Sequence, residues 1–180
     1  VRELVRPDRD VRWHWLPLLW AMIVFLLVLQ MWWVSFRVLQ DEVFSRVLVF
    51  LPYLLIFLVL YLICSFALPD PDWEASDAED CSALSLKSFY FSAAHRRWFF
   101  GAFIVLTILS QVVSNSLLAL SADATLNVVD QAGTAVFNLF VAGLLFGLIV
   151  SKRWWLHALV VVLVFVAVVY SLATRITPLG

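Results

Sequence analysis

The polar residues within the long apolar stretches of this sequence are the first candidates for chemistry. Six of the amides and hydroxyls in two consecutive apolar stretches recur at helical spacings: Thr107, Gln111, Ser114, Asn115, Thr134 and Asn138. Spacings of three and four place such residues on one stripe of a helix. Because lipid cannot satisfy an amide, we expect Gln111 and Asn138 to pair across neighbouring helices. The same residues are also candidates for lining a path for water or an ion.

The histidines form the second group of candidates. His14 and His157 lie beside or near tryptophans at the starts of two apolar stretches. Two imidazoles at one depth can ligate a haem iron, and one can ligate the magnesium of a chlorophyll. A histidine at the membrane interface needs no ligand, however. We therefore predict no cofactor, and we keep haem or chlorophyll held by His14 or His157 as an alternative.

The motifs of common enzymes are absent from the sequence. It has no Walker A, GxSxG, HExxH or CxxC motif. None of the long apolar stretches contains Asp, Glu, Lys or Arg, the residues that proton relays and coupled pumps use. We expect a protein that is not an enzyme and has no metal site.

The elements that carry these residues are transmembrane helices. Hydrophobic residues make up 64% of the 180 residues and charged residues 14%, whereas soluble proteins have about 45–50% and about 25%. The net charge of −1 gives no general attraction to nucleic acid. A helix needs about 20 mostly apolar residues to cross a bilayer. Five stretches qualify: 13–36, 47–68, 98–120, 131–150 and 154–174.

We therefore predict an all-α fold, a polytopic transmembrane helix bundle that forms a single domain over residues 1–180. Five spans are expected, or six if a further helix precedes residue 1. In the predicted topology nine Lys and Arg flank the spans on one side and three on the other. The positive-inside rule then places the N-terminus and an acidic loop, 69–97, in the cytoplasm and the C-terminus in the periplasm.

Two glycines in the fourth predicted span are candidates for helix packing. Gly143 and Gly147 form a GxxxG pattern, which allows two helices to approach closely. Together with the lack of a catalytic motif, this pattern favours a scaffold or an accessory subunit in a larger membrane complex. The expected partners are the lipid bilayer and either another membrane protein or further copies of the chain. A channel or passive transporter lined by the polar stripe is the first alternative, and a haem- or chlorophyll-binding subunit is the second.

Three helix starts carry a family resemblance. Residues 13–21 (WHWLPLLWA), 96–100 (RRWFF) and 152–158 (KRWWLHA) combine basic residues with aromatic ones. They resemble a group of bacterial multi-pass inner-membrane proteins that begin their helices in this way and have no assigned activity. The resemblance implies a bacterial inner-membrane location and one more N-terminal helix. It implies no activity and no functional residues.

Overall fold

The chain folds into a bundle of helices. The computed structural model describes residues 10–38, 47–69, 83–120 and 128–176. Apart from two three-residue strands, the elements are helical, which confirms the all-α class. In chain order they are β1 (Asp10–Arg12), α1 (Trp15–Val38), α2 (Val47–Phe66), β2 (Ala83–Ser85), α3 (Leu86–Phe91), α4 (Ala93–Leu120), α5 (Val128–Val150) and α6 (Trp154–Ile176).

The number of membrane spans differs from the prediction. Among the described residues, four helices are long and apolar enough to cross a membrane: Trp15–Phe36, Ala93–Ser116, Ala132–Val150 and Trp154–Ala173. The predicted span 47–68 has a shorter apolar helix, Phe50–Phe66. The structure therefore supports four spans and a shorter apolar helix, and the count of five is not confirmed.

The segment expected to be a loop, 69–97, is partly ordered into helix. α3 begins after Ser85, whose hydroxyl accepts a hydrogen bond from the backbone N–H of Ser88. Leu86, Phe89 and Tyr90 lie on one face of α3 and are buried. The α4 helix begins at Ala93, five residues before the predicted start, because Ser92 Oγ accepts from the backbone N–H of His95 at 3.2 Å and caps it. The acidic cluster falls within residues 70–82 and lies outside the described residues.

The helices pack unevenly. The α4 helix lies between α2 and α5, and α1 packs against α6, whereas α5 and α6 contact each other little. Sixteen buried residues from α1, α2, α3, α4, α5 and α6 form the main core, with Leu16, Trp20, Phe99 and Phe100 among the most buried. A smaller cluster of Tyr53, Ile56 and Val113 joins α2 to α4. The core is thus continuous across the helices, and α5 lies at its edge.

One end of the bundle collects positive charge, and we call it the basic end. There β1 pairs in parallel with β2, so that Arg12 lies opposite Ser85, and the rings of Trp15 and Trp154 meet edge to face at 6.4 Å. The described cations at this end are Arg12, Lys87, Arg96, Arg97, Lys152 and Arg153. The sequence predicted that these residues share one side, and the contacts place them so.

The outer surface is apolar, as a helix bundle in a bilayer requires. Leu, Val, Phe and Ile side chains are exposed along the long helices. Trp13, Trp98, Trp154 and Trp155 are at least half exposed near the basic end, where the amphipathic indole suits the level of the lipid headgroups. The described part of the chain is therefore compatible with a transmembrane protein.

Candidate functional site

Tyr90 ties two other helices to α3 at the basic end. The Nε1–H of Trp20 on α1 donates to Tyr90 Oη over 2.9 Å. The same oxygen lies 2.9 Å from Nδ1 of His157 on α6. Trp20 is 1% exposed, and Tyr90 and His157 are 0% exposed. Since Oη already accepts from the indole, its own hydrogen is directed to His157 Nδ1.

The tautomer of His157 follows from its second contact. Nε2 lies 2.9 Å from the carbonyl oxygen of Ser151, which can only accept. Nε2 therefore carries the hydrogen, and Nδ1 is the acceptor for Tyr90. Burial raises the pKa of Tyr90 well above its ordinary value, so the phenol keeps the hydrogen that it donates. The bonds run in one direction, from the indole through the phenol and the imidazole to the carbonyl.

Arg96 joins α4 to the same carbonyl. Its Nη1 donates to the carbonyl oxygens of Ile149 at 3.0 Å and Ser151 at 2.8 Å, where α5 ends. The residue is 4% exposed. Its Nε–H is buried without a hydrogen-bond acceptor in the described part of the chain. A cation at a helix C-terminus satisfies unpaired carbonyls and interacts favourably with the helix dipole. Three helices, α4, α5 and α6, thus meet at Ser151.

Aromatic rings enclose this network. Trp20 contacts Phe99 and Phe100 edge to face, with ring centroids 5.7 Å and 5.3 Å apart. His95 stacks on Phe99 at 5.0 Å and lies 4.3 Å from Phe89. Because these rings exclude water, the local dielectric is low, and both the hydrogen bonds and the cost of breaking them become larger. The arrangement holds five helices, α1, α3, α4, α5 and α6, in place at the basic end.

The two predicted cofactor ligands both lie at the basic end, and each has another role there. Both ring nitrogens of His157 are hydrogen-bonded, so a metal could bind only by displacing Tyr90 or Ser151. His14 caps α1, because its Nδ1 accepts from the backbone N–H of Leu16 at 3.3 Å. Burial, and then the nearby cation of Lys87, lower the pKa of His14 and keep that nitrogen an acceptor. No group of three His, Cys, Asp or Glu among the described residues is placed to hold a metal ion.

The amide pair expected between α4 and α5 forms in the structure. Asn138 Nδ2 donates to Gln111 Oε1 at 2.5 Å, and Gln111 Nε2 donates to Asn115 Oδ1 at 2.7 Å. Asn138 lies six residues after the start of the span Ala132–Val150 and Gln111 five residues before the end of Ala93–Ser116, so the bond lies nearer the end of the bundle opposite the basic end. The three amides satisfy one another in a place where lipid offers no partner.

The other residues of the predicted stripe, Thr107, Ser114 and Thr134, have different surroundings from these amides. Thr107 Oγ1 donates to the carbonyl oxygen of Phe103 in its own helix, at 2.9 Å. Ser114 lines a groove between α1, α2 and α4. Thr134 is exposed on α5. The side-chain bond described between α4 and α5 therefore involves the amides, and Thr107 bonds within its own helix.

The groove that includes Ser114 is largely apolar. It has a volume of about 410 Å³ and opens to the side of the bundle. Its polar lining comes from Gln30, Tyr53, Ser110 and Ser114, and the remaining lining residues are aliphatic or Met. Neither Gln111 nor Asn138 is among its lining residues. The groove is thus a cavity whose lining combines a few polar groups with aliphatic side chains of three helices.

The two packing glycines face away from the rest of the chain. A Cβ built on Gly143 or Gly147 meets no atom within 4 Å. The residues of α5 that are buried are Leu145 and Leu148, and Asn138 bonds to α4. At 100° per residue Gly143 points about 160° away from Leu145. Among the described residues, no helix packs against these glycines, because α4 lies on the other face of α5.

Several functional contacts were not identified from the sequence. Gln30 Nε2 on α1 donates to Ser171 Oγ on α6 at 2.8 Å. Ser35 Oγ donates to the carbonyl of Met31, so Tyr53 donates to Ser35 at 2.7 Å and links α2 to α1. The sequence feature that points to such contacts is a single polar residue within an apolar span, because that residue needs a hydrogen-bond partner. Its partner could not be named without knowing which helices are neighbours.

The described contacts therefore define three places of interest, which are the buried network at the basic end, the amides between α4 and α5, and the open glycine face of α5. The family resemblance of the helix starts suggested a bacterial multi-pass group. Comparison of the chain with protein-family models, curated proteins and solved structures finds no match. Function is thus argued from the geometry alone.

Proposed function

We propose that the protein is a non-catalytic integral membrane subunit that packs against a transmembrane helix of a larger assembly through α5. The observation that carries the proposal is the open outer stripe of α5. Gly133, Val136, Phe140, Gly143 and Gly147 recur at spacings of three and four and form that stripe. A Cβ on any of the three glycines meets no atom of the described chain within 4 Å.

The stripe suits a helix better than it suits lipid. Between its glycines stand Val136 and Phe140, which are 68% and 62% exposed. This alternation of small and large residues makes a groove into which a second helix can fit closely. In lipid the hydrophobic effect does not drive helices together, so close contact between the two backbones stabilises the association instead. Lipid chains fill such a groove less completely than a matched helix does.

The bond between Asn138 and Gln111 determines the side of the bundle toward which the outer stripe of α5 faces. Asn138 bonds to Gln111 on α4, and Leu145 and Leu148 are buried below it. These contacts set the rotation of α5 about its own axis. Because α5 contacts α6 little, no other helix among the described residues covers the outer face. The rotation thus supports a role for the amides as interhelical links that present the stripe to a partner.

The basic end supports a location in a bacterial inner membrane with that end in the cytoplasm. Six cations among the described residues lie at this end. The positive-inside rule assigns such an end to the cytoplasm. On this proposal the span Ala93–Ser116 enters from the cytoplasm, as do Trp15–Phe36 and Trp154–Ala173.

Purification from the native membrane in mild detergent tests the proposal. The chain should co-migrate with a partner, and Gly143→Leu should abolish co-migration while leaving the melting temperature unchanged, because the added side chain meets open space. Ala167→Leu, at an exposed position of α6, is the matched control and should keep the partner. A partner that proves to be a second copy would identify a homo-oligomer with the same face. A monodisperse monomer would contradict the proposal.

The groove between α1, α2 and α4 supports a second candidate, a passive channel. Its polar side chains, Gln30, Ser110 and Ser114, would contact the solute. In liposomes, Ser114→Leu should then reduce solute flux, whereas Gln111→Leu should change it less because Gln111 does not line the groove. Absence of flux through the wild-type protein would eliminate this candidate. The cofactor alternative needs one absorption spectrum, in which haem would give a Soret band and chlorophyll a far-red band.

A further inference from the structure

We infer that a cleft at the basic end binds the phosphate of an anionic phospholipid. The cleft lies between α3 and the connection from α5 to α6 and has a volume of about 520 Å³. Its lining residues are Lys87, Ser88, Phe91, Lys152 and Trp154. This site is separate from the outer stripe of α5 and does not depend on the proposed assembly.

The cleft carries the donors that a phosphate needs. Lys87 and Lys152 bring two ammonium groups from different elements, and the hydroxyl of Ser88 lies in the same lining. Both lysines are exposed, so neither has lost its hydration to a buried partner. Lys152 directly follows Ser151, whose carbonyl oxygen holds the guanidinium of Arg96. The field at the cleft is therefore positive from three cations on three elements.

The position of the cleft matches the level of lipid headgroups. Trp154 begins the span Trp154–Ala173, and Lys152 lies two residues outside it. The Trp154 ring is half exposed and is held edge-on by Trp15. Phe91 and Trp154 give the cleft an apolar wall beside its cationic one. A soluble phosphate would use only the cations, whereas a phospholipid would also place its glycerol and upper acyl chain on this wall.

Native mass spectrometry of the full chain in detergent provides the test, with phosphatidylglycerol as the probe. The wild-type protein should retain the lipid. The double variant Lys87→Gln, Lys152→Gln should lose about fivefold in affinity for each lysine, or roughly 25-fold in all. Arg12→Gln, Arg97→Gln removes the same charge from exposed positions at the same end and should retain most of the binding. Equal losses in the two double variants would overturn the site.

Further probes distinguish the source of the phosphate. Phosphatidylcholine, whose headgroup has no net charge, should bind weakly, and millimolar inorganic phosphate should not displace phosphatidylglycerol. Displacement by inorganic phosphate would reassign the cleft to a soluble phosphate. Residues 70–82 contain six carboxylates, and these are the alternative to lipid as the partner of the two lysines, which the experiment must exclude. If the wild-type chain retained no lipid, and replacing those carboxylates by amides created binding, the acidic segment and not lipid would be the native occupant.

Discussion

Replacing Tyr90 by Phe removes one oxygen from the centre of the buried network. The ring and its contacts with Phe100 and His157 stay in place. Two partners lose their bonds, because Trp20 Nε1–H donates to that oxygen and His157 Nδ1 accepts from it, both at 2.9 Å. Both partners are buried, so water cannot replace the phenol.

The expected cost follows from the two groups left without partners. A buried donor or acceptor that loses its bond costs about 1–3 kcal/mol. Bonds between membrane helices average about 0.6 kcal/mol, because the unfolded chain in lipid also finds partners. The network is enclosed by Phe99 and Phe100 at the basic end, where water solvates the unfolded groups. We therefore expect Tyr90→Phe to lower the free energy of unfolding by about 2–4 kcal/mol.

Unfolding in mixed micelles with increasing SDS, followed by circular dichroism, measures this difference. Tyr61→Phe is the matched control, because Tyr61 is 69% exposed on α2, and its effect should stay within about 0.5 kcal/mol. In a double-mutant cycle with Trp20→Phe, the loss of ring volume occurs in both backgrounds, so a coupling of about 1 kcal/mol would report the hydrogen bond. If Tyr90→Phe were as mild as Tyr61→Phe, the reasoning about the network would be refuted.

Three further changes test other contacts. Asn138→Leu should destabilise the protein by about 1 kcal/mol. Gln111→Leu should cost less in the Asn138→Leu background than in the wild type, because the bond to Asn138 is already lost and only the bond to Asn115 remains; additive costs in SDS unfolding would argue against the pair. Arg96→Met should cost about 2–3 kcal/mol, because the carbonyl of Ile149 loses its side-chain donor and the carbonyl of Ser151 keeps only His157. Arg96→Lys should recover part of this loss, whereas an unchanged stability of Arg96→Met would show that these bonds do not matter. Folding lowers the pKa of His14 from 6.5, so the stability that its cap contributes is present above about pH 6.5 and is lost as the pH falls through the folded pKa. Between about pH 7.5 and 5.5, the melting temperature of the wild type should therefore fall more than that of His14→Asn. Parallel curves for the two proteins would count against the cap.

The contact between Gln111 and Asn138 could be predicted because two facts constrain it. A short connection makes α4 and α5 antiparallel neighbours, and an amide in lipid needs a partner outside its own turn. Thr107 shows where the same reasoning fails. A hydroxyl can bond to the carbonyl four residues back in its own helix, as Thr107 does to Phe103. Among the residues of the stripe, only the amides therefore indicate which helices are neighbours.

The buried network could not be predicted, because it depends on α3. This helix has six residues, which is too short for hydrophobic periodicity to distinguish it from a loop. Tyr90 therefore fell inside the expected acidic loop, and Trp20 and His157 had no visible partner. Arg96 precedes aromatic residues, and because a basic residue in this position is a membrane anchor at most helix starts, the sequence gives no sign of its contact with Ser151.

Helix order was the other unpredictable feature. The α6 helix follows α5 after a short connection, yet it packs on α1, and Gln30 bonds to Ser171 there. Apolar residues surround these helices on all sides, so the sequence does not say which face a neighbour covers. For the same reason, the GxxxG pattern indicates that Gly143 and Gly147 allow close packing of a helix, but it does not indicate that they face outward from the bundle.

The contacts divide the molecule into parts that respond to different changes. Tyr90 and Arg96 hold α1, α3, α4, α5 and α6 together at the basic end, so their loss should lower stability first. Gly143 meets open space, so enlarging it should alter assembly alone. Lys87 and Lys152 line a surface cleft, so neutralising them should alter lipid binding alone. Any one of these variants that changed stability, assembly and lipid binding together would mean that α5 and the basic end act as one unit, and the separate roles argued from their contacts would have to be abandoned.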